Sequence, residues 1–397
     1  MIHTDRLRGP PKKATLTRDL RRLIKRGHPW VFADAIKLPA GLQPGDLVVL
    51  EHDKRFVARG YVDPTGPLAL RVLTTDPNEV VDEALVVRRI AQAVTLRSVL
   101  FTDDTTGYRL VNGEGDGLPG LVVDRYGTTL VIKPDGPIAE SFWDVEALAR
   151  HLSSVPGITA IHSRVRSRGG AVGKTLVGEV GPDTAFTEYG ARFIADVREG
   201  QKTGFFLDQR EHRLTLGKLS SGRRVLNAFG YTGGFSVQAG RFGATQVTTL
   251  DIAAPAINAA TMNWRANGLP DTKHIGIAAD AFEWLAAAAE RGDRFELVIL
   301  DPPAFAPSRK DLPKAIAAYK NLIALGARVT TLGGLLFAAS CSAHVTRDEL
   351  LMALDEGVSQ SRRKANVLTV GGQPADHPYP LVCPELAYLK TALVVLD

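Results

Sequence analysis

Five apolar runs leave few folds open to this chain: VLNAF (225–229), QVTTLD (246–251), HIGIAAD (274–280), ELVILD (296–301) and LLFAAS (335–340). Each is the length of one strand, and a turn and a helix-length segment follow it. A strand that is apolar at consecutive positions has both faces covered, and parallel strands need crossovers of about a dozen residues, usually helical. The pattern predicts an α/β fold over residues 188–397, a mostly parallel sheet between two layers of helices. VLTVG (367–371) and LKTALVVLD (389–397) supply strands at the end of the chain.

The earlier residues read differently. WVFADAI, DLVVLEHD, RFVARGYVD and LALRVLT are short β-type runs with turn residues between them, which predicts a small all-β barrel or sandwich over residues 1–75. Ahead of them, TLTRDLRRLIKRGHPW (15–30) is read as a short helix with Leu16, Leu20, Leu23 and Ile24 on one face, stopped by Gly27 and Pro29. Residues 76–187 predict a small mixed α/β domain: one long amphipathic helix through NEVVDEALVVRRIAQAVTLRSVLF, then strands in YRLVNG, GLVVDRYGTTLVIK and AIHSRVRS. Three domains, 1–75, 76–187 and 188–397, suit a chain of 397 residues.

Charge separates the head from the body. Residues 1–30 hold nine Lys/Arg against Asp5 and Asp19, or +7, on a chain whose total is +5; the remainder is −2. A basic head on a nearly neutral body suggests a polyanion-binding module, and a β module carrying basic residues suits RNA shape and backbone. No apolar run reaches the length of a membrane span, and the N-terminus lacks the apolar stretch of a secretory signal. Two cysteines, Cys341 and Cys383, exclude a disulfide framework, and no metal site is expected. A cytoplasmic setting fits best.

In an open parallel sheet, ligands bind beyond the carboxyl ends of the strands. FGYTGGFS follows the first of the five runs and opens a helix, but it lacks both the dinucleotide and the phosphate-loop glycine spacings. Asp251 ends the next run and is placed for ribose hydroxyls; Asp280 ends the third and is placed for an adenine amino group. Each acid has a plainer explanation, because aspartate commonly caps a helix that follows a strand. Their recurrence at successive strand ends favours one adenosine-bearing ligand, S-adenosylmethionine rather than ATP. Asp301-Pro302-Pro303-Ala304-Phe305 then fixes a carboxylate and an aromatic ring at the pocket mouth, the ring being available to stack on a base or to join the core.

HPWVF (28–32), GEGDGLPGLVVDRYG (113–127), GQKTGFFLDQR (200–210), NAFGYTGGFSV (227–237), DPPAF (301–305), SCS (340–342), DHP (376–378) and YLK (388–390) together resemble the RlmI-type methyltransferases, which act on cytosine carbon 5 of large-subunit ribosomal RNA. The resemblance runs through nearly the whole chain in family order. It implies an N-terminal PUA β-barrel, a small central α/β domain and a C-terminal Rossmann-like class I methyltransferase domain with a seven-stranded, mostly parallel sheet. It places Phe229, Gly230, Tyr231, Gly233, Asp251 and Asp280 at S-adenosylmethionine, with Asp301 facing both cofactor and base. Lys202, Gln209 and Arg210 would cap the pocket, contacting the methionine carboxylate or RNA phosphate, and Phe305 would stack on the base.

The resemblance also gives Cys341 a task, in place of the inert filling that a thiol at a strand's end usually is. Cytosine carbon 5 is a poor nucleophile; a thiolate adding to carbon 6 makes it enamine-like, and loss of the carbon-5 proton later expels the sulfur. A free thiol has a pKa of about 8.5, so a nearby cation or donor must promote the thiolate. His344 is one candidate, with a plain loop position as the alternative. The base for the carbon-5 proton is not identifiable, and Cys383 receives no role. Many RNA cytosine-5 methyltransferases carry a second cysteine beside the strand-four proline; DPPAF has none.

The target base must be unpaired or flipped out, since a duplex shields its carbon 6. Arg21, Arg22, Lys25 and Arg26 are the expected backbone contacts, with Arg164, Arg166 and Arg168 as an extension or merely a solvated face. Three alternatives stand beside this reading: a guanine-N7 methyltransferase of the related kind that lacks the SCS thiol, an RNA-binding assembly factor with an inactive methyltransferase fold, and a small-molecule methyltransferase. The partner is large-subunit ribosomal RNA, naked or in an assembling particle. A homodimer is left open.

Overall fold

A computed structural model describes the chain apart from Arg8, Arg168, Gly169 and Pro307, and apart from the side chains of residues 166, 167 and 170–172. The suggested phosphate contacts Arg166 and Arg168 therefore lie outside what is described. The chain forms two units. One comprises Glu188–Ile194, Asp208–Pro374 and Ala387–Asp397; the other comprises Met1–Thr187, Ala195–Leu207 and Ala375–Leu386.

In the first of these, seven strands form one sheet: β1 Arg224–Ala228, β2 Gln246–Asp251, β3 His274–Ala278, β4 Phe295–Leu300, β5 Thr330–Ser340, β6 Ala365–Gly371 and β7 Lys390–Leu396. Their order is β3-β2-β1-β4-β5-β7-β6. The first five pair in parallel, while β7 runs antiparallel to both β5 and β6. This is the seven-stranded, mostly parallel, Rossmann-like sheet that the resemblance implies.

The sequence explains the layering. Consecutive residues of one strand feed two separate cores: Leu226, Leu250, Val298, Leu300 and Leu336 pack with Leu285, Tyr319, Leu322, Ile323 and Leu354. Their neighbours Val225, Val247, Leu297, Ile299 and Phe337 pack with Leu216, Phe235 and Trp264. Continuous apolar runs are the one-dimensional trace of a sheet covered on both faces. The helices begin where local chemistry starts them. Asp280 caps Ala281–Arg291, and Thr346 forms a reciprocal capping box with Glu349 at the head of Arg347–Gln360.

The other unit holds two sheets. The N-terminal one has six strands and includes Trp30–Phe32, Leu47–His52, Arg55–Val62 and Leu68–Thr74. Here the expected helix over 15–30 is corrected. Residues Lys12–Leu16 form a strand, parallel to Leu47–His52 and antiparallel to Ile36–Lys37, and only Arg21–Lys25 is helical. Ala14 and Leu16 point inward from the strand to the same core that takes Ile24 from the helix. The apolar spacing was real, but a strand and a single helical turn divide it. The second sheet has five strands, beside the helix Glu83–Leu100 that Asp82 caps.

Three of the quoted motifs hold this unit together rather than doing chemistry. Trp30 donates from Nε1 to Glu114 at 2.9 Å, and Arg71 pairs with the same carboxylate. Arg97, fully buried, makes a two-pronged ion pair with Asp116 at 2.7 and 2.8 Å. It also donates to the Asp376 carbonyl, while the Asp376 carboxylate accepts from the Arg109 backbone. A buried charge stays only where its bonds are satisfied, and here they are. Among the described residues, no helix is long and apolar enough to cross a membrane.

Candidate active site

The carboxyl ends of β1, β2 and β3 make one continuous ledge. After Ala228 the backbone turns sharply: Phe229 (φ 59°), Tyr231 (φ 45°) and Gly233 (φ 79°) are left-handed. Two non-glycine residues in that region mark stored strain, which clusters at ligand sites. Gly233 has no alternative, since a Cβ there would lie 2.8 Å from that of Ala260; at Gly230 it would meet Thr249 at 2.5 Å. Asp251 fixes the turn from the next strand, accepting from Tyr231 N at 2.9 Å and Ala253 N at 3.0 Å, one bond on each oxygen.

Asp280 accepts from Phe282 N and Glu283 N, both on Oδ1. The capping role is thus real, and Oδ2 is left for a ligand. Phe229 and Phe282 meet edge to face with ring centres 6.4 Å apart, and Phe305 stands 6.2 Å from Phe282 and 4.9 Å from Tyr319. Phe305 is half-buried and packs against the core. Thr232 Oγ1 and Asn227 Oδ1, on either side of the turn, are buried without a hydrogen-bond partner. A left-handed loop, two acceptors with spare capacity, an aromatic wall and two orphaned polar atoms fit an adenosine-bearing group.

Asp301 begins the next stretch, held from below. Gln209 Nε2 donates to Asp301 Oδ1 at 2.9 Å, His212 Nδ1 meets Gln209 Oε1 at 2.7 Å, and Thr391 Oγ1 meets His212 Nε2 at 3.1 Å. Burial, with Arg213 nearby, lowers the His212 pKa to about 4. A neutral ring makes the order unambiguous: Thr391 donates to Nε2, Nδ1–H donates to Gln209, and the amide NH2 is turned to the carboxylate. Gln209 is a buried strut of Asp301. Arg210 is fully buried beside Glu211, and Lys202, in the other unit, lies exposed with Nζ 4.4 Å from the Phe206 ring.

The SCS motif alternates in the way a reactive thiol requires. Ser340 and Ser342 are buried, whereas Cys341 between them is partly exposed. Tyr319 anchors both serines, donating to Ser340 Oγ at 2.9 Å with Ser342 Oγ at 3.4 Å, and Ser342 Oγ accepts from Ala306 N. The loop after β5 is thereby tied to the loop after β4. Cys383 is fully buried, and its thiol is pushed up to about 12 by burial and Glu385. His344 is exposed, as a plain loop residue would be.

Lys390 was not singled out from sequence. It lies at the start of β7, 5% exposed, and Nζ donates to Ser342 O at 2.6 Å and Tyr388 O at 2.9 Å. Burial lowers its pKa to about 8 against the opposing pull of Cys341 and Glu349. His212 was missed as well. A lysine in YLK reads as a surface residue; the antiparallel return of β7 beside β5 is what buries it. Of the basic head, Arg22, Lys25 and Arg26 are exposed, while Arg21 is clasped to Asp19 at 2.7 and 2.8 Å.

Comparison with known proteins gives a consistent result. The S-adenosylmethionine-dependent methyltransferase family matches residues 127–367, and the PUA-like domain matches residues 14–75. The chain is 40% identical to the ribosomal RNA large subunit methyltransferase of Deinococcus radiodurans over 392 residues, covering 94% of this chain and 95% of that one. It is 36% identical to ribosomal RNA large subunit methyltransferase I of Photobacterium profundum over 386 residues, covering 94% and 97%. A SAM-dependent methyltransferase from Streptococcus mutans has the same fold, with a TM-score of 0.84 at 22% identity over 97% of this chain and 100% of that one. Another solved methyltransferase, complexed with S-adenosylhomocysteine, has a TM-score of 0.85 at 22% identity over the same shares.

Proposed function

This chain belongs to the large-subunit ribosomal RNA methyltransferases of the S-adenosylmethionine-dependent family, and from that membership we propose that it methylates carbon 5 of a cytosine through a covalent bond to Cys341. The observation that carries the finer reading is the exposure of Cys341 between two buried serines, one strand over from Asp301 and beside a buried lysine. A methyltransferase acting on guanine N7, already a nucleophile, has no use for that thiol.

S-adenosylmethionine, when bound, supplies an electrophilic methyl group on a sulfonium. Phe229, Gly230, Tyr231 and Gly233 would hold it through the loop, Asp251 through the ribose hydroxyls and Asp280 through the adenine amino group. Cys341 adds to carbon 6 as thiolate. Asp301, oriented by Gln209, accepts from the amino edge of the flipped base and stabilises the activated ring. Phe305 presents part of its face to the base. Arg22, Lys25 and Arg26 bind backbone phosphates without reading sequence. Cytoplasmic ribosomal RNA, naked or in an assembling particle, is the setting.

Nucleoside analysis of large-subunit ribosomal RNA after reaction with labelled cofactor tests the reading. The label is expected in 5-methylcytidine, and it is expected to vanish with Cys341→Ala. Label in 7-methylguanosine, undiminished in that variant, would contradict it.

A further inference from the structure

We infer that Lys390 is the base that removes the carbon-5 proton and so releases the enzyme; this rests on the reading of Cys341 as nucleophile. The placement comes first. In the antiparallel ladder of β5 and β7, Lys390 is the register partner of Ser340. Its Nζ ends 2.6 Å from the carbonyl of Ser342. Cys341 lies between the residue that Lys390 faces and the residue that its nitrogen touches, so the amine is held at the thiol's loop.

The hydrogen bonds favour an amine that can take a proton. A neutral amine has two N–H bonds and one lone pair. The carbonyls of Ser342 and Tyr388 accept the two N–H bonds, which leaves the lone pair for substrate. Among the described residues, no carboxylate pairs with this buried nitrogen, and burial without a counter-ion favours the uncharged form. The ionisable groups acting on it from the elements packed around it are Cys341, on the loop after β5, and Glu349, in the helix Arg347–Gln360; both favour the ammonium.

Stereochemistry supplies the rest. Sulfur adds to carbon 6 from one face of the ring, and the methyl group reaches carbon 5 from the other. As carbon 5 becomes tetrahedral, its hydrogen turns toward the sulfur's face, where Lys390 is. The step then balances. The lone pair of Lys390 takes the proton, the C–H electrons close the carbon-5–carbon-6 double bond, and the sulfur–carbon-6 bond breaks with its electrons on sulfur. The products are 5-methylcytosine, the Cys341 thiolate and the Lys390 ammonium, which returns one proton to solvent per methyl transferred.

The test uses the full chain with unsubstituted large-subunit ribosomal RNA and methyl-labelled cofactor. Lys390→Met is expected to transfer one methyl and stall. Turnover should fall about 100-fold or more, and the label should appear in a denaturation-resistant protein–RNA adduct that wild type does not accumulate. Lys390→Arg places a permanent cation there and cannot act as base, so it is expected to stall in the same way. Unchanged cofactor affinity in both variants reports an intact fold. Near-normal turnover by Lys390→Arg would reduce Lys390 to a fixed charge and overturn the inference. So would a folded Lys390→Met that forms no adduct, because the defect would then precede methyl transfer. Undiminished methylation by Cys341→Ala would instead overturn the nucleophile reading beneath it.

Discussion

Cys341 and Cys383 show one side chain put to two uses by its surroundings. Cys383 is sealed in, its thiol held far above the neutral range, and it cannot supply a thiolate. Cys341 is partly exposed, between serines that Tyr319 pins inward. With iodoacetamide at neutral pH, native protein is expected to take up one equivalent, at Cys341, and Cys383 is expected to react only after unfolding; peptide mass mapping distinguishes them. The motif SCS made this cysteine legible in the sequence. Lys390 and His212 were not, because their burial depends on strands and helices that meet only in the fold.

Among the elements, the strand–loop–helix junctions cap helices and, on the proposed reading, also hold the cofactor, and substitutions can separate the two tasks. Asparagine caps a helix about as well as aspartate, whereas alanine costs about 1 kcal/mol. Asp280→Asn should therefore keep the melting temperature and lose cofactor affinity, and Asp280→Ala should lose both; calorimetric unfolding and titration of cofactor report the two quantities separately. A stability loss with unchanged affinity in Asp280→Ala would leave Asp280 only as a cap. Most strands and helices of the sheet unit were readable, because a sheet buried on both faces writes itself as uninterrupted apolar runs. The helix expected over 15–30 is not formed, since in so short a stretch the inward Leu16 of a strand and the Ile24 of a single helical turn share one apolar spacing.

For the whole molecule, acid and salt are the informative variables. His212 and His274 both have folded pKa values of about 4, lowered by burial from the usual 6.5. Protons bind the unfolded chain more readily than the folded one, so this stability is complete above pH 6.5 and is lost as pH falls toward 4. His212 alone accounts for about 2 kcal/mol at pH 5. The melting temperature is expected to drop between pH 6.5 and 4, and less steeply in His212→Gln. RNA affinity should fall with added salt, and replacing Arg22, Lys25 and Arg26 by glutamine should flatten the logarithmic salt slope by about 2 while leaving cofactor affinity unchanged. The most direct check on the covalent route remains a trap. Ribosomal RNA carrying 5-fluorocytidine has no carbon-5 proton to lose, so wild-type protein with cofactor should form a protein–RNA band that survives denaturation, and Cys341→Ala should form none. An equal band from both proteins, or no band from wild type that methylates ordinary RNA, would contradict the account.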